Sequence, residues 1–471
     1  MVVSLLEVDR SHMETTHFDV LVIGFGKGGK TLAATMGRLG KRVAMVEQSS
    51  KMYGGTCINI GCVPTKSLVH HAERRGASSP GEWHRTAVEQ TRALTSAMRG
   101  KNYAMLDMLD SVTVITGRAT FLDSKTVRVT AGQVDMLDLS ADIIVINTGA
   151  VPVLPPIPGL RESSRLLTST DLIDIDHLPK RLAILGAGYV GVEFASMYAQ
   201  FGSAVTMLDP AARIMAREDE DITDAATDIL RGAGVGFIPG AHVTQVRDID
   251  NGVEITYEAG GATHTLAADE ILAATGRKPA TEGLGLDRAG VRTTPSGAIE
   301  VDEVLRTSQP HIYAIGDVNG GPQFTYISLD DNRIVADQLI GRGERSTADR
   351  KFVLYTVFMT PAFARVGLTE REARERGLRV KVVEKAVADI ATMPRAKIVG
   401  ETRGLMKFVV DSETDLVLGA ALLSVDAQEM INVVALAMRH GVTASELRDT
   451  IYTHPSSTEA FNEVLGSPSV R

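Results

Sequence analysis

Two stretches of this chain repeat one plan, and that repeat limits the fold more than any other feature. His17 to Ile23 is an apolar, β-branched run ending in Gly24-Phe25-Gly26-Lys27-Gly28-Gly29, followed by a helical stretch and a second strand, Arg42 to Val46, closed by Glu47. Leu182 to Leu185 leads likewise into Gly186-Ala187-Gly188-Tyr189-Val190-Gly191, a helix from Glu193 to Phe201, and a strand ending at Asp209. In each copy the first glycine lies 23 residues before the acidic residue. The tails match as well: Thr148, Gly149 and Pro152 follow Asp142 by six, seven and ten residues, as Thr275, Gly276 and Pro279 follow Asp269. Strand, glycine turn, helix and strand in that order predict a dinucleotide-binding unit, whose glycines admit a diphosphate to the helix start and whose acid accepts ribose hydroxyls. A tight turn would explain one Gly-x-Gly-x-x-Gly, but not two sets at equal offsets.

The first copy spans 124 residues from Gly24 to Thr148 and the second 89 from Gly186 to Thr275, an excess of 35. That excess is the length of a helical insertion, and the first copy holds the only two cysteines in 471 residues. They lie in Gly54-Gly55-Thr56-Cys57-Ile58-Asn59-Ile60-Gly61-Cys62-Val63-Pro64-Thr65-Lys66. Their spacing is about one helical turn, so a chain entering a helix near Cys57 brings the sulfurs within disulfide distance. A helix start also lowers a thiol pKa and favours the thiolate. Two ordinary buried cysteines are the bland alternative. Zinc is a weaker one, because a closed site wants four ligands and only His70 and His71 lie nearby. Two nucleotide units in the same chain point instead to a redox pair fed by hydride.

Composition removes other classes. A net charge of −9 without a long basic run lacks a nucleic-acid footprint. With 44% hydrophobic residues and 44 glycines the chain reads as globular α/β, with room for roughly three domains. No apolar run approaches the ~20 residues that span a bilayer, and no secretory signal opens the chain. The expectation is a cytoplasmic protein, where a bridge between the cysteines is redox-active rather than structural. Residues 1–12, ending Ser11-His12, read as a vector-derived leader.

Elsewhere, helical residues run to about Leu109, short alternating strands extend from Val112 to Leu139, and Asp142 to Gly149, with Pro152 beyond, reads next as a buried strand leading into a loop. Pro155, Pro156 and Pro158 mark a boundary. Thr307 to Asp317 is a strand delivering Gly316-Asp317, where a carboxylate suits a flavin ribityl hydroxyl or simply closes a turn. Arg371 to Arg376 reads as a solvated, mixed-charge helix face, and Gln428 to Met438 as a dimer face or a core helix. In His454-Pro455-Ser456-Ser457-Thr458-Glu459, Ser456 and Glu459 make a capping-box pattern for a helix start. His454 also reads as a base held in one tautomer by Glu459.

Together these motifs resemble the FAD-binding pyridine nucleotide-disulfide oxidoreductases, such as lipoamide dehydrogenase, glutathione reductase and mercuric reductase, over nearly the full length from His17. The resemblance implies an α/β fold with two Rossmann-like dinucleotide-binding domains, for FAD and NAD, plus a C-terminal α+β dimerisation domain. The expected divisions are an extension over 1–16, an FAD domain with the cysteine insertion over 17–155, and an NAD(P)H domain over 156–282. A return to the FAD or central domain over 283–350 and a dimerisation domain over 351–471 complete the chain. FAD contacts are implied for Gly24, Gly26, Gly29, Glu47, Gly55, Thr56, Thr148, Gly149 and Asp317, and NAD contacts for Gly186, Gly188, Gly191, Asp209 and Gly276. NAD(P)H would pass hydride to the flavin, the flavin would reduce the Cys57–Cys62 disulfide, and the dithiol would reduce an acceptor.

By the same resemblance Cys62 faces the flavin as a charge-transfer thiolate, Cys57 meets the acceptor, and Lys66, paired with Glu193, sits near the flavin N5. Without it Lys66 is an ordinary helix lysine. A homodimer is implied, with His454 and Glu459 of one subunit completing the cysteine site of the other. Asp209 would repel a 2′-phosphate and select NADH over NADPH, a preference that Arg213 and Arg217 weaken.

The chain lacks the terminal cysteine pair and metal-binding domain of many mercuric reductases, and its Gln323 to Asp331 and Tyr452-Thr453 differ from lipoamide dehydrogenases. Those segments, with Met52 to Cys62, are similar to the reactive-chlorine-resistance flavoproteins associated with copper(II) reduction. The leading expectation is therefore a metal-ion acceptor, copper(II), meeting Cys57 and Cys62 transiently as substrate. Alternatives are a lipoamide dehydrogenase-like reductase of small disulfides, a mercuric reductase-like enzyme, a flavin oxidase or transhydrogenase that bypasses the cysteines, and a non-catalytic redox sensor.

Overall fold

The computed structural model describes residues 15–131 and 134–469; the leader expected at 1–12 lies outside them. The chain forms two compact units, one of residues up to 64 with 92–151 and 277–349, the other of 65–91, 152–276 and 350 onward.

In the first unit the apolar run Thr16–Ile23 lies between Val43–Glu47 and Val134–Ile146, parallel to both. The sheet order is Val112–Thr116, Val43–Glu47, Thr16–Ile23, Val134–Ile146, Thr126–Ala131, Arg118–Phe121, and Ile312–Ala314 also pairs with Val134–Ile146. Alternate residues serve opposite faces: Leu21, Ile23, Ala44 and Val46 enter one core, Val20, Val22, Val43 and Met45 the other. A sheet covered on both sides explains why these strands read as unbroken apolar runs. Asp142 to Ile146 is not a separate strand. The ladder continues through Leu139, Ser140 and Ala141, paired with Thr16, His17 and Phe18, so Val134–Ile146 runs on without a break.

The second unit repeats this pattern. Arg181–Leu185 lies between Ala204–Asp209 and Glu270–Ala273, all parallel, with Gly236–Pro239 and Leu166–Leu167 outside. An antiparallel meander, His242–Ile249, Gly252–Ala259 and Ala262–Ala268, follows. Beyond residue 350 an antiparallel sheet runs in the order Leu354–Val357, Phe363–Gly367, Val417–Leu423, Leu405–Asp411, Val380–Ala386. Helix Ala427–Arg439 buries Met430, Ile431, Val434 and Met438 in the same core as Phe408 and Leu422. Its other side leaves Val433 and Leu436 exposed, so the helix is a core element with a second apolar face.

The expected solvated face holds at Arg371, Arg374, Glu375 and Arg376, which are exposed, while Ala373 and the preceding Glu370 turn inward. Glu370 is buried 2.9 Å from Lys407 Nζ, and Arg371 donates to the Arg217 carbonyl at 2.9 Å. Among the described residues no helix is long and apolar enough to cross a membrane.

Candidate active site

The two glycine turns are built alike. Gly24 and Gly186 have φ of +99° and +105°, and a Cβ on either would strike the carbonyl oxygen of Asn147 or Ala274 at 2.4 or 2.5 Å. Those carbonyls immediately precede Thr148 and Thr275, which is why the Thr-Gly pairs recur at matched offsets. Thr148 Oγ1 donates to the Ala280 carbonyl and Thr275 Oγ1 to the Val153 carbonyl, each at 2.8 Å. Gly276 has φ of +113° and Gly149 +74°.

Helices Lys27–Arg38 and Tyr189–Phe201 start at Gly26 and Gly188 without a side-chain cap and without an acid in the first turn. A Cβ on Gly188 would meet nothing within 4 Å. The open start at Gly188 fits the diphosphate of a dinucleotide, while in the first helix Ser328 Oγ and Asn147 Oδ1 accept from the Gly28 and Gly29 N–H groups at 3.1 and 2.9 Å. Glu47 and Asp209 close the neighbouring strands as acceptors. Glu47 takes the Phe25 and Ser49 N–H groups at 3.0 and 3.2 Å, and Asp209 those of Ala187 and Ala211 at 2.6 and 2.7 Å. Burial pushes the Glu47 pKa up against these hydrogen bonds. Arg213 is engaged by Asp224 and Glu220.

Asn147 is a site residue that the fingerprints do not announce. Its Oδ1 accepts from Gly29 N at 2.9 Å, and its Nδ2 donates to the Ile315 carbonyl at 2.7 Å. It thereby ties the first glycine turn to the strand end that carries Gly316 and Asp317. The one available signal is its place in the repeat, where the second copy has Ala274. Burial raises the Asp317 pKa and the Arg277 charge opposes it, leaving a half-buried acceptor suited to hydroxyl donors.

Gly55, with φ of +77°, starts the short helix Thr56–Asn59 that carries Cys57, and Cys62 opens helix Cys62–Glu73. Asn59 fixes the intervening turn by donating to the Tyr53 and Gly55 carbonyls at 3.0 and 2.9 Å, and Arg99 Nε donates to its Oδ1 at 2.9 Å. The two cysteines are not joined in a disulfide; Cys57 is half-buried and Cys62 exposed, with Cys62 Sγ 3.5 Å from Thr325 Oγ1. The expected lowering of the thiol pKa does not hold for Cys57. Its hydrogen bond with Cys62, its burial and charge on Cys62 push it up, outweighing Thr325 and the Lys30 cation. A four-residue helix supplies little dipole, and the neighbouring sulfur dominates.

Lys30 is also unannounced, a lysine directly after the glycine turn. It is 4% exposed, donates to Gly54 O at 3.4 Å and pairs with Asn102 Oδ1. Burial, then the charge of Lys27, pull its pKa down to about 8, while charge on Cys57 pulls it back up.

In the second unit Lys66 Nζ lies 3.0 and 2.8 Å from the two Glu193 oxygens, and Glu193 also accepts the Phe358 N–H at 2.8 Å. His454 Nδ1 lies 2.9 Å from Glu459 Oε1, and the other Glu459 oxygen takes the Ser456 N–H at 2.7 Å. The capping expectation needs correction. The helix is Ala460–Val464 with Glu459 at its N-cap, and Ser456 Oγ turns to Thr458 Oγ1 at 3.0 Å. Glu459 completes one half of the box and gives its other oxygen to the histidine.

Residues 18–331 match the pyridine nucleotide-disulphide oxidoreductase family and residues 353–465 its dimerisation domain. The chain belongs to the pyridine nucleotide-disulphide oxidoreductases. It is 47% identical over 448 residues to the probable pyridine nucleotide-disulfide oxidoreductase RclA of Escherichia coli (strain K12), covering 95% of this chain and 98% of that protein. It is 35% identical to a mercuric reductase of Staphylococcus aureus, covering 94% and 81%. The Cu(II) complex of the HOCl-induced flavoprotein disulfide reductase RclA from Escherichia coli matches with a TM-score of 0.90 at 46% identity, covering 96% and 99%. Membership makes this protein an oxidoreductase of a family that uses FAD and a pyridine nucleotide.

Proposed function

We propose that this oxidoreductase takes electrons from NADH and delivers them through Cys57 and Cys62 to a metal ion, copper(II), in defence against reactive chlorine. The observation that carries this reading is the solved Cu(II) complex of a 46% identical, HOCl-induced relative, taken with an accessible Cys62 thiol beside Cys57 here. FAD, held by Gly24, Gly26, Gly29, Glu47, Gly55, Thr56, Thr148, Gly149 and Asp317, supplies two-electron exchange between nicotinamide and disulfide when bound. Gly186, Gly188, Gly191, Asp209 and Gly276 hold the nucleotide. Asp209 suits the 2′-hydroxyl of NADH, and Arg213 is already engaged by Asp224 and Glu220, while Arg217 still weakens the preference.

Lys66, fixed by Glu193, presents a cation whose field stabilises negative charge developing nearby. Oxidation of the two thiols to the disulfide releases two electrons, which take two copper(II) ions to copper(I), and two protons, which pass to solvent. Soft sulfur suits the reduced ion. We place the reaction in the cytoplasm, in a homodimer whose active site uses His454 and Glu459 of the second subunit. A small disulfide as acceptor is the second reading. The His454–Glu459 pair favours it, because the leaving thiolate of a disulfide acceptor must take up a proton in place, whereas the protons released when a metal ion is reduced can pass to solvent.

The test is NADH oxidation by the FAD-loaded protein with copper(II), mercury(II), lipoamide and glutathione disulfide side by side, repeated with Cys62→Ser and with controls for direct metal chemistry. Copper-dependent turnover that collapses in the variant is expected. Fast turnover with a disulfide and none with metal would overturn the copper reading.

A further inference from the structure

Lys30 is a buried cation without a carboxylate within ion-pair distance among the described residues. Its hydrogen-bond partners are the Gly54 carbonyl and the Asn102 side chain, both neutral. Asn102 is itself held by donation to the Met98 carbonyl at 2.7 Å, so its Oδ1 faces the ammonium in a fixed orientation. A strut between the helix Lys27–Arg38, the glycine turn and the helix Pro80–Asp107 needs donors but no charge. Burying an ammonium without a counter-charge is costly, and such a group survives where its charge is used. The ionisable partner whose negative charge favours the Lys30 cation is Cys57, three residues beyond the carbonyl that Lys30 holds.

We infer that Lys30 is a positioning residue for the cysteine pair, holding the Gly54 turn that delivers Cys57 and setting a buried positive charge near the pair that favours the dithiol over the disulfide. This rests on the reading of Cys57 and Cys62 as a redox pair. Reduction of their disulfide takes two electrons and a proton, breaks the S–S bond and leaves one thiol and one thiolate. A nearby cation stabilises the reduced, anionic side of that balance and leaves the neutral disulfide untouched. The reductant is the reduced pyridine nucleotide, or in the test a dithiol buffer.

The experiment equilibrates the FAD-loaded protein with graded ratios of reduced and oxidised dithiothreitol at neutral pH, quenches with acid, and counts free thiols by mass shift after alkylation. Lys30→Met, Lys30→Gln and Lys30→Arg are compared with the parent, and flavin content and thermal melting are recorded for each. Glutamine retains a donor to Gly54 and Asn102 and loses the charge, so it separates charge from strut. Expected is a fall of about tenfold in the dithiol-to-disulfide constant for both Met and Gln, equal to about 30 mV for a two-electron couple, with Arg within about threefold of the parent. A Gln variant matching the parent, or variants that lose flavin or stability while the constant stays put, would overturn the charge role. A parent protein with no reversible disulfide would instead sink the redox-pair reading, and the inference with it.

Discussion

Glu459 divides its carboxylate between the His454 ring, 2.9 Å from Oε1, and the Ser456 backbone N–H, 2.7 Å from Oε2. The second bond fixes the carboxylate, and the first fixes the imidazole through Nδ1, leaving Nε2 outside the pair. The Ser456 N–H and the histidine hold the Glu459 pKa below its ordinary value, so it stays ionised through neutral pH. With a disulfide acceptor, His454→Ala is expected to lower kcat by roughly 10²-fold, within the range for losing a general acid–base. Glu459→Ala should cost less, about tenfold, because the ring remains but turns freely. Steady-state assays that hold the KM for NADH as an internal control check both.

Lys66 is tied down twice, by both oxygens of Glu193 and by the Phe358 ring, whose centroid lies 4.7 Å from Nζ. Replacing it with methionine keeps the stem and removes a preorganised cation. Lys66→Met is expected to slow bleaching of the flavin band by NADH by roughly 10²-fold, the scale of losing one oriented electrostatic contact. Glu193→Gln should slow it less, since the amide oxygen still accepts from Lys66. Stopped-flow absorbance at saturating NADH measures both, and unchanged rates would remove Lys66 from the reaction.

What was legible in the sequence was what the backbone demands. The glycines of the two turns announce positive φ and close approach, and the equal offsets to Thr148 and Thr275 announce strands ending against those turns. The fold class followed from that, as did both nucleotide units. Contacts made by ordinary side chains over long separations were not legible. Lys30 reads as a helix lysine until Asn102, 72 residues away, is beside it, and Asn147 reads as the end of a strand until Gly29 and Ile315 meet its amide. The Cys57 thiol departs from expectation although it does sit at a helix start, Thr56–Asn59. Two sulfurs in contact set each other's protonation more strongly than a four-residue helix does.

Lys407 is 1% exposed and faces Asp219 at 3.1 Å, Asp221 at 2.5 Å and Glu370 at 2.9 Å. Burial alone would lower its pKa. Hydrogen bonds to Asp221 and Glu370 and the charges of Asp219 and Asp221 outweigh that and hold it above the ordinary lysine value. Lys407→Met leaves three carboxylates without their shared counter-charge. The expected loss is about 3–5 kcal/mol of stability, the scale for breaking a buried ion pair from one side. Urea unfolding followed by far-ultraviolet circular dichroism measures it. A loss below about 1 kcal/mol would mean that water reaches the cluster and screens it.

His84 gives the sharpest pH prediction. The side chain is fully buried, packs edge-on against Phe201 with ring centroids 5.0 Å apart, and neither ring nitrogen has a hydrogen-bond partner among the described residues. Burial, then the charge of His177, hold its pKa down at about 4. The ring is therefore neutral in the folded protein, while in the unfolded chain it protonates near the ordinary histidine value of about 6.5. Between those values the unfolded state binds more protons, so stability falls as pH drops from about 6.5 toward 4. A shift of that size is worth roughly 3 kcal/mol by the acid end of the window. His84→Leu removes the proton site and fills the same apolar space, so its stability should decline less steeply across that window than the parent's. Denaturant melts at a series of pH values test this, and parallel slopes for the two proteins would show that other groups carry the acid sensitivity.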